Sequence, residues 1–215
     1  MFTEYSPLSR RTELVRRGFS PLNALRVLED STSSGKPLRA QRVDLANETF
    51  TVYVPPHAPP HGYALLVFVP PWETATVPKL SRAALDRPNM ILVSAANSGN
   101  GADVLNRRER LALLAAENIM RSYPLDPERV YIGGFSGGSR MALRSARGYP
   151  DVFHGALLHA GSDPIGNAQS PLPPQELLRQ FQESTRVVYV TGAHDNFNLA
   201  AVRRDSTVAA AMVRV

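Results

Sequence analysis

The segment "YIGGFSGGSRMAL", residues 131–143, places a serine where its hydroxyl could act as a nucleophile. Gly134 and Gly138 flank Ser136 at two residues on either side and complete the pattern G-x-S-x-G. A sharp strand-to-helix turn would expose the hydroxyl, and the residues two positions away must be small because the strand and the helix close up there. The pattern therefore predicts a nucleophilic Ser136, and the alternative interpretation is a tight turn with a helix-capping serine.

A serine that attacks a carbonyl carbon also needs two backbone N–H groups to stabilise the developing oxyanion. Gly137 directly follows the serine and offers the first, at the start of a helix whose N-terminus adds positive potential. The second is expected from the loop "VPPWETATVP", which follows the third predicted strand. Because Pro70 and Pro71 have no N–H, Trp72 is the first donor in that loop, and we predict an oxyanion hole formed by Gly137 and Trp72.

Composition argues against a cofactor, a metal or a nucleic-acid partner. The sequence has no G-x-G-x-x-G fingerprint and no G-K-[ST] phosphate loop, and its lack of cysteine excludes disulfides, thiolate catalysis and cysteine-ligated zinc. The net charge is +5, but arginines occur as separated pairs such as Arg107-Arg108 and form no dense block. With no secretory signal and no apolar run long enough to span a bilayer, we expect a cytoplasmic protein without a membrane partner.

The elements that must position these residues begin after an N-terminal extension, residues 1–37. A helix is predicted through "PLNALRVLED", followed by a flexible link, "STSSGKP", into a main domain over residues 38–215. In that domain the segments "LRAQRVDL" and "TFTVYVP", joined by "ANE", predict a β-hairpin.

Strands and helices then alternate along the chain. The runs "YALLVFV" and "NMILVSAA" are continuously apolar, which is typical of strands buried on both faces. Further strands are predicted in "RVYIGG", "GALLHAG" and "RVVYVTG", and helices in "LNRRERLALLAAENIMRSY", "SRMALRSARGY" and "PQELLRQFQES". This alternation predicts an α/β protein with a mostly parallel sheet and helices on both faces.

The stretch "YPLDPERVYIGGFSGGSRMALRSARGYPDVFHGALLHAG" closely resembles α/β-hydrolase esterases of the polyhydroxybutyrate depolymerase and feruloyl esterase type. In those families an Asp-Pro-x-Arg-Val strand leads into G-x-S-x-G, and "YPDVF" precedes the next strand. The resemblance covers roughly residues 40–200 of this chain. It implies the α/β-hydrolase fold and hydrolysis of small-molecule or polymeric carboxylic esters through a serine nucleophile.

Chain order in this fold predicts an acid after the serine and then a histidine. Asp195 lies in the loop beyond the strand "RVVYVTG" and matches the acid of the family, although an Asx turn in "HDN" would also explain it. Asp163 in "GSDPIG", after the preceding strand, is the alternate acid. Its competing interpretation is a turn residue before Pro164.

No histidine follows Asp195 in the sequence, so the base is missing from its expected place. His159, at the upper end of a strand, and His194, beside the acid, are the alternates. The other histidines are expected at the opposite end of the sheet or in the loop leading into the third strand: His57, His61 and His154.

In the family that the chain resembles, the catalytic histidine follows one further strand. We therefore expect a C-terminally incomplete domain that lacks the last strand and helix. Without the histidine, the chain is expected to be a poor catalyst. A truncated or frame-shifted product, a relocated base and a non-catalytic hydrolase-fold binding or scaffold protein all stay open. The uncovered edge of "RVVYV" also predicts oligomerisation.

Overall fold

The computed structural model describes residues 2–33, 43–77, 81–166 and 170–210. Its strands are β1 (Phe50–Tyr53), β2 (Tyr63–Val69), β3 (Met90–Ala95), β4 (Leu125–Phe135), β5 (Gly155–His159) and β6 (Arg186–Val190). They form one six-stranded sheet in the order β1-β3-β2-β4-β5-β6. Strand β1 pairs antiparallel with β3, whereas the other neighbouring strands pair in parallel. The predicted mostly parallel α/β sheet is confirmed.

The helices are α1 (Arg11–Gly18), α2 (Pro21–Ser33), α3 (Arg82–Asp86), α4 (Glu109–Ser122), α5 (Gly137–Gly148), α6 (Gln175–Ser184) and α7 (Leu199–Ala210). Successive residues of a strand point to opposite faces of the sheet. Leu65 and Val67 of β2 therefore join the large core cluster, together with residues of α1, α4, α5 and α6. Leu66 points the other way and packs against Leu85 of α3. Helices thus cover both faces, as predicted.

The central strands have the burial that their apolar runs predict. Strand β2 is buried at six of its seven residues, and β3 is buried at all residues after Met90. Burial on both faces requires a continuous apolar run, which is why these two strands are the easiest to recognise in the sequence.

The outer strand β6 is more exposed. Val188 and Val190 are each 43% exposed, and β6 pairs with β5 alone among the described residues. This arrangement is the uncovered edge on which the oligomerisation prediction depends, and the oligomeric state stays a prediction.

The N-terminal segment is more structured than the sequence predicts. The predicted helix from Pro21 is present as α2, but it continues to Ser33, so the predicted flexible link is wrong for residues 31–33. The rest of that link lies outside the described residues. Helix α1 was not expected, and it buries Leu14 and Val15. The hydroxyl of Tyr149 donates to the carbonyl oxygen of Leu8 at 3.1 Å and joins this segment to α5.

The predicted hairpin before β1 is wrong in its described part. Residues 38–42 lie outside the described residues, and Leu45–Asn47 form a 3-10 turn in place of a strand. The side chain of Asp44 accepts a hydrogen bond from Ala46 N at 3.2 Å, a local alternative to strand pairing. Strand β1 pairs instead with β3, whose paired residues lie 39 or more positions further along the chain.

Candidate active site

Ser136 lies at a sharp turn between the end of β4 and the start of α5. Its backbone has φ 53° and ψ −118°, a combination that L residues rarely adopt and that surrounding structure must enforce. The strand, turn and helix that the G-x-S-x-G pattern predicts are all present. Ser136 and Gly137 line the same cleft, so the turn faces an open space into which a ligand can enter.

Glycines are required where the turn closes. A Cβ atom on Gly138 would collide with the carbonyl oxygen of Val69, and one on Gly134 would lie 2.7 Å from the backbone nitrogen of Ser139. A third glycine, Gly161, was not identified in the sequence, and its Cβ would lie 2.8 Å from the carbonyl carbon of Ser136. The backbone of the turn is therefore enclosed by the end of β2 on one side and by the loop after β5 on the other.

Hydrogen bonds connect the turn to the end of β5. The Ser136 N–H donates to the carbonyl oxygen of His159 at 2.8 Å. The buried Ser139 hydroxyl lies 2.8 Å from the same oxygen and 2.7 Å from the carbonyl oxygen of Gly134. These bonds hold the strained turn at the carboxyl end of the parallel strands, where sites form in α/β sheets.

The two predicted oxyanion donors are backbone N–H groups with no acceptor among the described residues. Gly137 is the first residue of α5, where an N–H has no partner within the helix. Trp72 lies in the loop after β2, and no described group accepts from its N–H. At the next residue, the carbonyl oxygen of Glu73 accepts a hydrogen bond from Asn97 N at 2.7 Å, so this loop is fixed against the loop that follows β3.

The side chain of Trp72 faces the turn as well. It is 44% exposed, and its ring centroid lies 5.9 Å from that of Phe135, the residue before Ser136. The indole therefore forms part of the surface around the turn.

The cleft beside Ser136 has a volume of about 800 Å³ and a mixed lining. Apolar side chains come from the segment before α4, from α5 and from the loop after β6: Val104, Leu105, Met141 and Phe197. Polar and charged residues complete it: Asn100, Asp103, Arg108, Arg140, Arg144 and Asp163. Phe197 is 83% exposed, so this wall of the cleft is open to solvent. The cleft can take an apolar group next to a polar one.

Asp163, the alternate acid, lines the same cleft as Ser136. It lies 3.5 Å from the Nε of Arg140, as an ion pair. Partial burial raises the pKa of the Asp163 carboxyl, and Arg140 opposes this shift without cancelling it.

Asp195, the predicted acid, lies after β6 in an exposed loop and does not line that cleft. Its carboxylate accepts from Phe197 N at 3.1 Å, from Asn198 N at 2.9 Å and from the Thr191 hydroxyl at 3.1 Å. Hydrogen bonds from Asn198 are the main reason why the pKa of Asp195 is lowered. These contacts are those of an Asx turn before α7, the alternative interpretation of this residue.

The histidines do not complete a hydrogen-bonded triad. His159 is exposed at the end of β5, where its ring packs edge-on against Phe135 with centroids 4.9 Å apart. His194 is exposed beside Asp195. All five histidines lie within the described residues, and none of their side chains donates to or accepts from Ser136 or either aspartate there.

Arg108 has a place at the site that its position in the sequence does not predict. Arg107-Arg108 is one of several separated arginine pairs in the sequence, yet Arg108 is 4% exposed and lines the cleft. Burial lowers the pKa of Arg108, and Glu73 opposes that shift. A buried arginine has no signature in a single sequence.

The described residues contain no group of three or more histidine, aspartate or glutamate side chains arranged to hold a metal ion. None of the described helices is both long and apolar enough to cross a membrane.

A family model described as Esterase PHB depolymerase matches residues 83–212, which is more than half of the chain. The match includes β4, the turn at Ser136, and the loop that carries Asp195. No curated protein sequence matches the chain.

Solved structures share the fold at low sequence identity. An acylaminoacyl peptidase from Pyrococcus horikoshii has a TM-score of 0.59 and 16% identity, over 86% of this chain and 37% of that chain. An esterase from the Planctomycetes species Thermogutta terrifontis has a TM-score of 0.54 and 14% identity, over 81% of this chain and 77% of that one. An acetyl xylan esterase from Aspergillus awamori has a TM-score of 0.45 and 19% identity, over 54% of this chain and 47% of that chain.

The chain thus spans less than half of the length of the acetyl xylan esterase and of the peptidase. The likeness to the peptidase and to the Thermogutta terrifontis esterase confirms the α/β-hydrolase fold.

Proposed function

This chain belongs to the PHB depolymerase family of esterases, and we propose that it is a serine hydrolase that acts on carboxylic esters through Ser136. The observation that carries the proposal is the strained backbone of Ser136, with φ 53°, beside an open cleft. Such a conformation costs on the order of 1–3 kcal/mol and persists where the surrounding structure enforces it. A helix-capping serine has no need of it, and the Ser136 side chain makes no capping bond in α5.

In the proposed reaction, Ser136 Oγ attacks the ester carbonyl carbon and the proton of its hydroxyl passes to solvent water. The carbonyl oxygen becomes an oxyanion that accepts hydrogen bonds from the N–H groups of Gly137 and Trp72. Collapse of this intermediate expels the alcohol, which takes up a proton, and leaves the acyl group on Ser136. Water then attacks the acyl group by the same route, which releases the acid and restores the hydroxyl.

Asp195 stands at the position of the acid in chain order, but it has no imidazole to orient. We propose that this 215-residue chain is therefore an impaired catalyst, since a serine hydroxyl is a weak nucleophile without a base to accept its proton. In subtilisin, loss of the histidine costs about 10⁶ in kcat, whereas the oxyanion hole and binding retain on the order of 10³ over water. Slow ester hydrolysis above the uncatalysed rate is the expected activity.

The experiment that tests the proposal is labelling of the purified chain with a fluorophosphonate probe, followed by peptide mass spectrometry. We expect slow, time-dependent modification of Ser136 and none in Ser136→Ala. Ser184→Ala is the control, because it removes an exposed serine hydroxyl whose hydrogen bond stays within α6, and this variant should still be labelled at Ser136.

A binding or scaffold protein with this fold is the rival from another functional class. It has no reason to keep a reactive hydroxyl, so the absence of labelling at Ser136 would contradict the proposed activity.

The role of His159 is tested in parallel with His159→Ala on activated nitrophenyl esters. We expect unchanged slow turnover. Turnover at ordinary enzyme rates that is abolished by His159→Ala would identify His159 as a relocated base.

A further inference from the structure

Arg108 contacts three separate segments of the candidate site. Its Nε donates to the carbonyl oxygen of Ser98 at 2.7 Å and its Nη2 to that of Pro70 at 3.0 Å. Its Nη1 donates to the carbonyl oxygen of Gly137 at 3.4 Å. One guanidinium therefore joins the loop after β2, the loop after β3 and the first residue of α5.

A helical turn that is wider than an α-helical one directs Arg108 to this place. Residues Val104–Arg108 form a π-helical turn ahead of α4, and the N–H groups of Arg107 and Arg108 both donate to the carbonyl oxygen of Asp103, at 3.1 and 3.0 Å. Such turns often occur at functional sites. Two consecutive arginines can then reach the same loop, because Arg107 Nε donates to Asn97 O at 2.7 Å.

Arg107 and Arg108 differ in their other hydrogen-bond and ion-pair partners. Arg107 pairs with both carboxylate oxygens of Glu48, at 3.0 and 2.7 Å, and touches neither Pro70 nor Gly137. Arg108 binds backbone carbonyls and has no carboxylate within ion-pair distance among the described residues. Its positive charge is thus not neutralised by a direct partner, and it lies beside the two loops that carry the proposed oxyanion donors.

The position of the Trp72 N–H depends on how its loop is held. The carbonyl oxygen of Pro71 accepts from Asn100 N at 2.9 Å. Since a trans peptide group directs its N–H opposite to its C=O, this bond sets the direction in which the Trp72 N–H points. Arg108 fixes the preceding carbonyl, that of Pro70, and connects it to Gly137.

We propose that Arg108 is a positioning residue that aligns the N–H groups of Trp72 and Gly137 into one oxyanion hole. The inference rests on the proposed function, because it assigns Arg108 a role in that same reaction. An arginine suits this role because its planar guanidinium presents five N–H donors in a fixed geometry. A lysine has one nitrogen at the end of a flexible chain and cannot span three carbonyl oxygens in the same way.

The test compares Arg108→Ala and Arg108→Lys with Arg107→Ala, all in the full chain, by the kinetics of fluorophosphonate labelling. The limiting rate of labelling reports stabilisation of the reacting oxygen, and the half-saturating probe concentration reports binding. We expect Arg108→Ala to lower the limiting rate about 10- to 100-fold, since loss of one oxyanion donor costs about 10²–10³. Half-saturation should change little. Arg107→Ala should lower the melting temperature but leave the limiting rate at that of the unmodified chain.

Chemical rescue separates a positioning role from a general loss of packing. Guanidinium chloride, at concentrations well below those that unfold the protein, should restore part of the limiting rate in Arg108→Ala. Sodium chloride of equal ionic strength should not. Arg108 lines the cleft, so the ion has a route to the vacated position. If Arg108→Ala does not fold, the test is made on Arg108→Lys, for which we expect a reduced limiting rate of labelling.

The outcomes distinguish this inference from the proposed function. No labelling of the unmodified chain at Ser136 would overturn the proposed function and this role together. Labelling of the unmodified chain, with unchanged limiting rates in the folded Arg108 variants, would overturn the role of Arg108 alone. Equal losses in the Arg108 and Arg107 variants, or no rescue by guanidinium, would do the same, because both results would indicate a purely structural effect.

Discussion

The turn that carries Ser136 and the loop that carries Asp195 both follow parallel strands at the same end of the sheet. Residues Phe135, His159 and Val190 end β4, β5 and β6 in one register. The turn at Ser136 is enclosed by neighbouring backbone and held by distant residues. The loop at Asp195 is exposed and is held by hydrogen bonds from residues within four positions in sequence. The first is specified by tertiary contacts, and the second is specified locally.

This difference shows that the tertiary structure maintains the conformation of the turn at Ser136, whereas the loop at Asp195 maintains its own conformation. A strained conformation that depends on contacts with the ends of β2 and β5 and with the loop after β5 should be sensitive to any added atom. A self-contained turn should tolerate changes at a modest cost. Substitutions matched between the two regions measure the contrast directly.

The largest effect is expected where the turn at Ser136 meets β2. In Gly138→Ala, the new Cβ would collide with the carbonyl oxygen of Val69, which belongs to a buried strand and has no room to move. We expect the free energy of unfolding to fall by about 3 kcal/mol or more, or the chain not to fold. Urea denaturation followed by circular dichroism measures it.

Gly148→Ala, at the other end of α5, is the matched control. Its Cβ would lie 3.5 Å from the carbonyl oxygen of Arg17, an ordinary contact. Between no change and about 1 kcal/mol of added stability is expected, because alanine favours a helix over glycine. Equal effects of the two substitutions would show that the turn is not enclosed as described.

A smaller loss of stability is expected when the hydrogen bonds behind the turn are removed. Ser139→Ala removes a fully buried hydroxyl that bonds the carbonyl oxygens of Gly134 and His159. The free energy of unfolding should fall by about 1–3 kcal/mol, since buried acceptors lose a donor. Ser184→Ala is the control, because this exposed hydroxyl bonds a carbonyl within its own helix, and a change under about 0.5 kcal/mol is expected. A neutral Ser139→Ala would indicate that the turn does not need this support.

The sequence could reveal the turn because several of its requirements are local. G-x-S-x-G, the preceding apolar strand and the following helix are contiguous, and each is confirmed in the fold. Gly161 and Arg108 could not be found in this way. Their roles depend on contacts with residues 25 or more positions away, Ser136 for the glycine and Gly137 and Pro70 for the arginine.

The missed helices have a similar explanation. Helix α1 is rich in arginine, and its buried residues pack against α5. No local sequence pattern predicts such a contact between distant segments. In α7, the buried Asp205 pairs with the Ser162 hydroxyl at 2.6 Å, a contact between segments 43 residues apart. The hairpin was wrongly predicted because alternation in "LRAQRVDL" resembles a strand, whereas Asp44 starts a turn.

Substitution of Asp195 tests the locally held loop. In Asp195→Ala the capping bonds to Phe197 N and Asn198 N are lost, and the melting temperature should fall by a few degrees. The rate of fluorophosphonate labelling at Ser136 should not change, because no histidine connects the two residues. In a complete triad, loss of the proper acid lowers kcat by about 10⁴. A large loss of labelling in Asp195→Ala would show that a base does link Asp195 to Ser136.

The smallest effect contrasts the two aspartates through pH. Burial raises the pKa of Asp163 in the folded protein, so its contribution to stability is present below the unfolded pKa, about 3.9, and is lost as pH rises through the folded value. Hydrogen bonds lower the pKa of Asp195, so its contribution is present above the unfolded pKa and is lost as pH falls through the folded value. The two carboxyl groups should therefore give stability profiles of opposite slope in acid.

Melting temperatures measured from pH 3 to pH 6 for the unmodified chain, Asp163→Asn and Asp195→Asn test this directly. The unmodified chain should lose stability relative to Asp163→Asn as pH rises, and gain stability relative to Asp195→Asn over the same range, each by on the order of one or two degrees. Asparagine keeps the size of the side chain, so the difference between variants reports the titrating charge. Slopes of the same sign would mean that both carboxyl groups have similar surroundings, and the contrast between the cleft and the exposed loop would then be wrong.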